Sequence, residues 1–282
     1  MMRREETTTL QDRYVRVGSI NTRYRIQGAG SPVVLIHGIG SSLEDWDLNF
    51  DPLAEHHCVW ALDLVGNGRS DKPAAPYTMV YFSNFVRDFL ATQGLDRVSL
   101  VGSSLGGTVT LDFAIRHPEQ VDRLVLVDPA GLGRDLTLLF RLSTLPVLGK
   151  QLTKPSLKGS EQLQRSFFFD QSLVTPELMR FKYELSNQPG MQDAMLATLR
   201  ANVNLRGVKP AVVSDLADNL SRITAPTLVI WGRENHTIPV AQAEVARKGI
   251  PNVEVHIFDK CAHAPMIESP AAFNELVLKF LK

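Results

Sequence analysis

Hydrophobic and polar positions follow two different patterns along the chain. Residues Tyr14 to Arg25 alternate around a break at Gly18 and Ser19, which predicts a half-exposed β-hairpin. Later segments are short, nearly continuous apolar runs, as expected of strands that are buried on both faces of a parallel sheet. These predicted strands are Val33–Ile36, Val59–Leu62, Val98–Val101, Leu124–Val127, Thr227–Trp231 and Val253–Phe258.

Helical patterns separate the predicted strands, at about Tyr81–Thr92, Leu105–Arg116 and Val240–Lys248. Strands that alternate with helices indicate the α/β class, with a mostly parallel central sheet and helices on both of its faces. The active site of such a sheet is expected at the carboxyl ends of the strands.

The alternation of predicted strands and helices stops after Asp128 and resumes near Ile223. Residues 132–222 contain amphipathic helical patterns and several prolines, and we expect them to form a helical cap over a core made of residues 1–131 and 223–282. Phe167 and Phe168 are candidate substrate contacts within an aromatic run of this cap, and packing inside the cap is the alternative.

Composition favours small-molecule chemistry. Thirty basic and thirty acidic residues cancel, so no net charge would attract nucleic acid or an anionic membrane. The start, Met1–Thr7, has no apolar segment typical of a signal peptide behind it, and the chain has only two cysteines, Cys58 and Cys261. We therefore expect a cytoplasmic protein with no membrane or nucleic-acid partner.

The segment Gly102-Ser103-Ser104-Leu105-Gly106 follows a predicted strand and opens a predicted helix. A G-x-S-x-G nucleophile elbow requires this context, because the glycines let strand and helix approach closely around a strained serine. Ser104 is the candidate nucleophile, since Ser103 occupies the variable position of the pattern.

A second glycine-containing segment, His37-Gly38-Ile39-Gly40, ends an earlier predicted strand. Backbone N–H groups at such a loop and at a helix start can stabilise negative charge that develops on a carbonyl oxygen. The N–H groups of Ile39 and Leu105 are the candidates for this oxyanion hole, and His37 is expected to orient the loop.

His263 lies in a loop between the strand Val253–Phe258 and the last predicted helix, where it could take the serine proton and return it to a leaving group. An ordinary imidazole pKa places the rise of activity with pH near about 6.5. The other histidines lack this placement, and no spacing typical of a metal site occurs. We expect neither a metal nor a cofactor.

With these motifs, and with the segment Asp63–Ser70, the chain resembles the α/β-hydrolase family over nearly its full length. Within that family it is similar to the capped esterases, lactonases and carbon–carbon bond hydrolases. It differs from the epoxide hydrolases and haloalkane dehalogenases, which have an aspartate where Ser104 stands. The resemblance implies a catalytic triad of serine, histidine and an acid.

One position departs from the family pattern. Relatives usually carry the triad aspartate where this chain has Asn235, which cannot supply the charge that stabilises imidazolium. Asp128, at the end of the strand before the cap, is the replacement that we favour. Glu234 is a second possibility, and a third is that Asn235 occupies the acid site, naturally or by deliberate substitution. Asp128 could also simply turn the chain together with Pro129.

These residues predict hydrolysis of a small carboxylic ester or lactone through an acyl-enzyme. Carbon–carbon bond hydrolysis is the alternative within enzymes, although relatives of that kind commonly have tryptophan where Ala264 stands. A slow-turnover ligand-binding protein on the same fold is the alternative outside enzymes, and Asn235 is the feature that supports it.

Overall fold

The computed structural model describes residues 11–282, so the segment Met1–Thr7, on which the expected localisation depends, lies outside the described residues. The predicted hairpin is present, and its two strands pair antiparallel with Val17 opposite Ile20. The strands are β1 (Arg13–Val17), β2 (Ile20–Gln27), β3 (Pro32–Ile36), β4 (Cys58–Leu62), β5 (Val98–Ser103), β6 (Val121–Val127), β7 (Val203–Asn204), β8 (Gly207–Val208), β9 (Thr227–Gly232) and β10 (Val253–Phe258).

Within residues 11–282, eight of these strands form one sheet in the order β1-β2-β4-β3-β5-β6-β9-β10. The pairs β1·β2 and β2·β4 are antiparallel, and all other neighbours are parallel. This arrangement confirms the predicted α/β class with a mostly parallel central sheet. Parallel neighbours end at the same edge, so the residues that follow β3, β5, β6, β9 and β10 gather on one side of the molecule.

Helices cover both faces of the sheet. They are α1 (Asp47–Ala54), α2 (Met79–Thr92), α3 (Leu105–Arg116), α4 (Leu138–Leu142), α5 (Pro146–Leu152), α6 (Leu157–Phe167), α7 (Pro176–Ser186), α8 (Met191–Asn202), α9 (Pro210–Ala217), α10 (Ala243–Gly249), α11 (Pro265–Glu268) and α12 (Pro270–Leu281). None of the helices in the described part of the chain is long and apolar enough to cross a membrane.

The central strands are buried on both faces, which explains their continuous apolar runs. In β3, Val34 and Ile36 belong to the hydrophobic cluster under α2 and α3, whereas Val33 and Leu35 belong to the cluster under α1 and α12. All four side chains are fully buried. Burying such a side chain contributes about 1.5–3 kcal/mol relative to exposure, so both helical layers are held firmly against the sheet.

The segment between β6 and β9 contains α4 to α9 and the short antiparallel hairpin β7–β8. We keep the name cap for residues 132–222. The sequence indicated helices here, and the two-residue strands of the hairpin were not predicted because they are too short to give an alternating pattern. Residues of α6 and α7 line a cavity at Ser104, so this segment covers the carboxyl edge of the sheet.

Candidate active site

Ser104 lies in a sharp turn between β5 and α3. Its backbone has φ +54° and ψ −116°, a conformation that costs a non-glycine residue about 1–3 kcal/mol. The flanking glycines make this turn possible, since a Cβ on Gly102 would lie 2.3 Å from the carbonyl oxygen of Gly106. A Cβ on Gly106 would lie 2.2 Å from the carbonyl oxygen of Ile36. The turn thus has the geometry of a nucleophile elbow and presents the Ser104 hydroxyl at the edge of the sheet.

His263 lies beside this hydroxyl. Its Nε2 is 3.1 Å from Ser104 Oγ, although the two residues are 159 positions apart in the chain. The imidazole is buried, and this burial lowers the pKa of His263 to about 4, against an opposing effect of the Asp45 carboxylate. His263 is therefore neutral at pH 7, and the pH limb expected near 6.5 from the sequence moves well below that value.

Asn235 occupies the position where relatives have the triad acid, and it contacts His263. Its Oδ1 accepts hydrogen bonds from the backbone N–H groups of Thr237 and Ile238, each at 2.9 Å. These two donors fix the orientation of the amide, because a flipped amide would point its own N–H groups at them. Nδ2 consequently faces His263 Nδ1 at 2.9 Å.

The orientation of Asn235 decides the tautomer of His263. An Nδ2–H donor requires an acceptor, so the Nδ1 of neutral His263 carries no proton and Nε2 carries it. In this state Nε2–H donates to Ser104 Oγ. The ring can take up the serine proton at Nε2 only after its own proton has moved to Nδ1.

Asp128 lies behind Asn235, as seen from His263. Its Oδ1 accepts from Asn235 Nδ2 at 2.8 Å and from the Gly232 N–H at 3.2 Å. Within the described residues, Asp128 Oδ2 is buried without a hydrogen-bond partner, and burial raises the pKa of Asp128 well above its ordinary value. The structure thus brings Asp128 to the site and places the Asn235 amide between it and the imidazole.

Within residues 11–282, Glu234 makes no hydrogen bond to the imidazole. Its Oε2 accepts the backbone N–H of Cys261 at 2.9 Å, which holds the loop that leads to His263. A direct role of Glu234 as the acid, the second possibility from the sequence, would require this carboxylate to leave the backbone that it binds.

The two candidate oxyanion donors lie close to Ser104. Leu105 follows Ser104 directly and is the first residue of α3. Gly38, which precedes Ile39, packs against Ser104 so closely that a Cβ on Gly38 would be 3.3 Å from Ser104 Cβ. Among residues 11–282, neither the Ile39 nor the Leu105 N–H makes a protein hydrogen bond. Both are therefore free to bind an oxyanion.

His37 holds the Ile39 loop, as the sequence suggested. Its Nδ1 lies 2.7 Å from the Gly38 carbonyl oxygen, and its Nε2 accepts the Leu64 N–H at 3.1 Å. The accepted bond leaves the proton on Nδ1, which donates it to Gly38. His37 thus joins the loop after β3 to the loop after β4.

A cavity of about 360 Å³ opens onto Ser104 and His263. Phe167 and Phe168 both line it, and the Phe167 ring centroid is 5.1 Å from that of His263. Phe169, the third residue of the aromatic run, is instead 47% exposed. A second, smaller cavity of about 60 Å³ also reaches Ser104 and has almost entirely apolar walls, including Leu105 and Phe140.

Sequence reasoning missed Lys182, on cap helix α7. Its Nζ donates to Asp45 Oδ1 at 2.6 Å and to Ser41 Oγ at 2.9 Å. Of the described residues that line the larger cavity, Lys182 alone carries a permanent positive charge. Nothing in the local sequence marks this lysine, because its partners are about 140 residues away.

Sequence reasoning also missed Glu268, a residue of α11 that binds the backbone on both sides of the site. Its carboxylate accepts the N–H of Ala262 at 2.6 Å, next to His263, and the N–H of Phe169 at 2.6 Å in the cap. The His263 N–H itself donates to the Phe167 carbonyl oxygen at 2.8 Å. The backbone of the histidine loop is therefore bonded directly to the cap.

No group of three or more His, Cys, Asp or Glu side chains within residues 11–282 is arranged to hold a metal ion. The groups available for chemistry beside the cavity are the hydroxyl of Ser104, the imidazole of His263 and the unpaired backbone N–H groups of Ile39 and Leu105. Together they can support nucleophilic attack on a carbonyl carbon.

Comparison with known proteins agrees with this fold. The family described as alpha/beta hydrolase fold matches residues 31–270, and the chain belongs to this family of hydrolases. An uncharacterised protein of Mycobacterium tuberculosis is 34% identical over an alignment of 282 positions, which covers 97% of this chain and 81% of the relative.

Several similar proteins have named activities, among them the following two. The 2-hydroxy-6-oxo-2,4-heptadienoate hydrolase of Pseudomonas putida is 34% identical over an alignment of 273 positions, which covers 95% of each chain. The structure of the meta-cleavage product hydrolase of Pseudomonas fluorescens IP01 is similar, with a TM-score of 0.83 and 28% identity over 95% of this chain and 97% of that chain.

Proposed function

We propose that the protein hydrolyses the carbon–carbon bond next to a ketone in a small unsaturated keto acid, with Ser104 as the nucleophile. The observation that carries the hydrolytic part is the 3.1 Å contact between Ser104 Oγ and His263 Nε2 at the floor of a cavity. The choice of substrate class is supported by the 34% identity with a 2-hydroxy-6-oxo-2,4-heptadienoate hydrolase across 95% of both chains. Ester or lactone hydrolysis, favoured from the sequence, becomes the second candidate.

The proposed reaction has two stages. The proton of neutral His263 first moves from Nε2 to Nδ1. Ser104 Oγ then attacks the ketone carbon, and its proton passes through Nε2 to the carbon that departs when the carbon–carbon bond breaks. Water then attacks the acyl group on Ser104 and releases a carboxylic acid and the free serine. The N–H groups of Ile39 and Leu105 would bind the negative oxygen formed in each stage.

Lys182 provides a partner for the carboxylate of such a substrate. Besides Asp45, three carboxylates line the cavity. Glu44 is paired with Arg23 and Asp47 with Arg25, whereas Glu177 makes no ion pair within residues 11–282. Lys182 is paired with Asp45 at 2.6 Å, and a substrate carboxylate would share or replace this contact. Lys182 Nζ has a third N–H besides those that it donates to Asp45 and Ser41. A substrate carboxylate that accepts from this third N–H would gain a charge-assisted hydrogen bond of about 1.5–3 kcal/mol, which favours anionic over neutral substrates.

Substrate comparison tests the proposal. We expect kcat/KM to be higher for 2-hydroxy-6-oxo-2,4-heptadienoate than for p-nitrophenyl butyrate, and both activities to vanish in Ser104→Ala. Lys182→Met should lower kcat/KM for the keto acid about tenfold or more and leave the neutral ester nearly unchanged. Lys150→Met, at a lysine that is exposed on the cap, is the matched control and should change neither.

A preference for the ester would overturn the substrate assignment and establish the second candidate. Ala264 favours that candidate, because a small side chain stands in the cavity wall where carbon–carbon bond hydrolases commonly have tryptophan. Stoichiometric labelling without turnover of either compound would instead establish a ligand-binding protein.

A further inference from the structure

The cap exposes an unusual share of the large hydrophobic side chains. Seven of the ten that are exposed within residues 11–282 lie in the cap, and Val147 is the most exposed of all at 73%. Six of them belong to α4, α5, the start of α6 and the β7–β8 turn. We call these six the cap surface: Leu138, Leu139, Val147, Leu152, Leu157 and Leu205.

Hydrogen bonds hold the elements of the cap surface together. Arg141 of α4 donates from Nε to the carbonyl oxygen of Leu205 at 2.7 Å, which joins α4 to the β7–β8 turn. Arg200 of α8 donates from Nη2 to the carbonyl oxygen of Pro146 at 3.2 Å, and Gln192 of α8 donates to the carbonyl oxygen of Lys150 at 2.8 Å. The exposed apolar side chains thus stand on a braced layer of short helices.

Charge along α4, α5 and the first residues of α6 is of one sign. Residues 136–160 contain Arg141, Lys150, Lys154 and Lys158 and no acidic residue, so the zero net charge of the whole chain conceals a basic region. Asp135 and Glu161 lie just outside its two ends. Lys150 Nζ is 3.4 Å from Asp193 of α8, but both side chains are mostly exposed, and such a pair is worth little.

Apolar side chains among basic ones match an anionic lipid surface. The apolar groups enter the boundary between headgroups and acyl chains, and the basic groups pair with the negative headgroups. A second copy of the chain matches less well, because a two-fold interface would place this basic region against itself. We propose that the cap surface binds anionic lipid bilayers, with α4 and α5 lying in the headgroup region.

This surface adjoins the active site. On α4, Leu138 and Leu139 face outward, whereas Phe140 is buried and lines the smaller apolar cavity at Ser104. A bilayer bound to the cap surface would therefore be separated from that cavity by a single helix. The proposal concerns binding alone and does not depend on which bond the enzyme cleaves.

Vesicle sedimentation of the full chain tests the proposal. We expect binding to vesicles of phosphatidylcholine with phosphatidylglycerol, little binding to phosphatidylcholine alone, and loss of binding at high salt. Each basic residue near such a surface contributes roughly fivefold to partitioning, so Lys154→Gln with Lys158→Gln should weaken binding at least tenfold. Val147→Ser with Leu157→Ser should also weaken it at least tenfold.

Val80→Ser is the matched control, at a 41% exposed valine on α2 of the core, and it should bind as the unchanged protein does. All variants should keep their rate on a soluble substrate, which shows that they are folded. Absence of binding to anionic vesicles would overturn the proposal. Equal binding to neutral vesicles, or a dimer in solution that the Val147→Ser and Leu157→Ser changes dissociate, would overturn it as well.

Discussion

Asn235 Nδ2 lies 2.9 Å from His263 Nδ1, and two backbone N–H groups on the other side of the amide hold it in that orientation. An amide donor at this position stabilises the imidazole tautomer that has its proton on Nε2. That tautomer can donate to Ser104 but cannot accept the serine proton. The geometry thus favours a vacant acid site over Asp128 as a direct partner of the imidazole.

Asn235→Asp should therefore accelerate acylation of Ser104. An aspartate would accept Nδ1–H, stabilise the reactive tautomer and compensate the imidazolium, and the reverse change in another triad enzyme costs about ten-thousandfold. The new carboxylate at position 235 would lie next to that of Asp128. Because the pKa of Asp128 is raised, Asp128 can be protonated and donate a hydrogen bond to the new carboxylate, which avoids repulsion between two negative charges. The measurement is the single-turnover acylation rate, which separates this step from product release.

Glu234→Gln is the control for this experiment and should change acylation little, since its carboxylate binds the Cys261 backbone. If Asn235→Asp leaves the rate unchanged while Asp128→Asn abolishes acylation, Asp128 is the working acid. That result would restore the assignment favoured from the sequence.

Asp128→Asn should stabilise the protein at neutral pH. The folded state raises the pKa of Asp128 above its ordinary value, so its stabilising contribution is complete at low pH and is lost as the pH rises through the folded-state pKa. Removing the charge should raise the free energy of unfolding at pH 8 by about 1–2 kcal/mol, with a smaller gain at pH 5. Asp122→Asn, at an exposed carboxylate of β6, the strand that ends next to Asp128, should change the free energy of unfolding by less than about 0.5 kcal/mol.

The acylation rate should stay level from pH 8 down to about pH 6 and fall only as the pH approaches the His263 pKa of about 4. Protonation of the buried ring removes the acceptor, and burial delays it to this low pH. Because the folded-state pKa is lowered, stability should also decline as the pH falls from about 6.5 towards 4. A limb near 6.5 in the acylation profile would show that the ring is solvated in the working enzyme.

Glu268→Gln should loosen the bond between the cap and the histidine loop. An amide keeps only one oxygen, so it can accept from one of the two backbone donors, Ala262 or Phe169, and turns its NH2 group towards the other. We expect a loss of about 1–3 kcal/mol in the free energy of unfolding and a fall in kcat with little change in KM. Glu275→Gln, at an exposed position on α12, should have neither effect.

Much of the fold could be predicted from the sequence because its signals are local. Strand β10 has the predicted bounds, and β3 and β4 each begin one residue before the predicted apolar run. The family assignment is likewise confirmed. It could be made from the sequence because the turn at Ser104 depends on glycines within two residues of it.

The details around the imidazole could not be predicted because they depend on side-chain direction. The orientation of Asn235 is set by the N–H groups of Thr237 and Ile238, which the folded loop brings to its Oδ1. Glu234 binds the Cys261 backbone, 27 positions away in the chain. Lys182 reaches Ser41 from the cap, a contact that no local pattern encodes. The assignment of Ser104, His263 and the oxyanion donors as catalytic remains a prediction.

The central claim is that Ser104 carries the acyl group, and mass spectrometry of the acid-quenched reaction tests it most directly. After brief mixing with p-nitrophenyl acetate, the peptide that contains Ser104 should gain the mass of one acetyl group. The same peptide of Ser104→Ala should gain nothing, and Ser103→Ala should still be labelled. An acetyl group on another residue, or equal turnover by Ser104→Ala, would contradict the account.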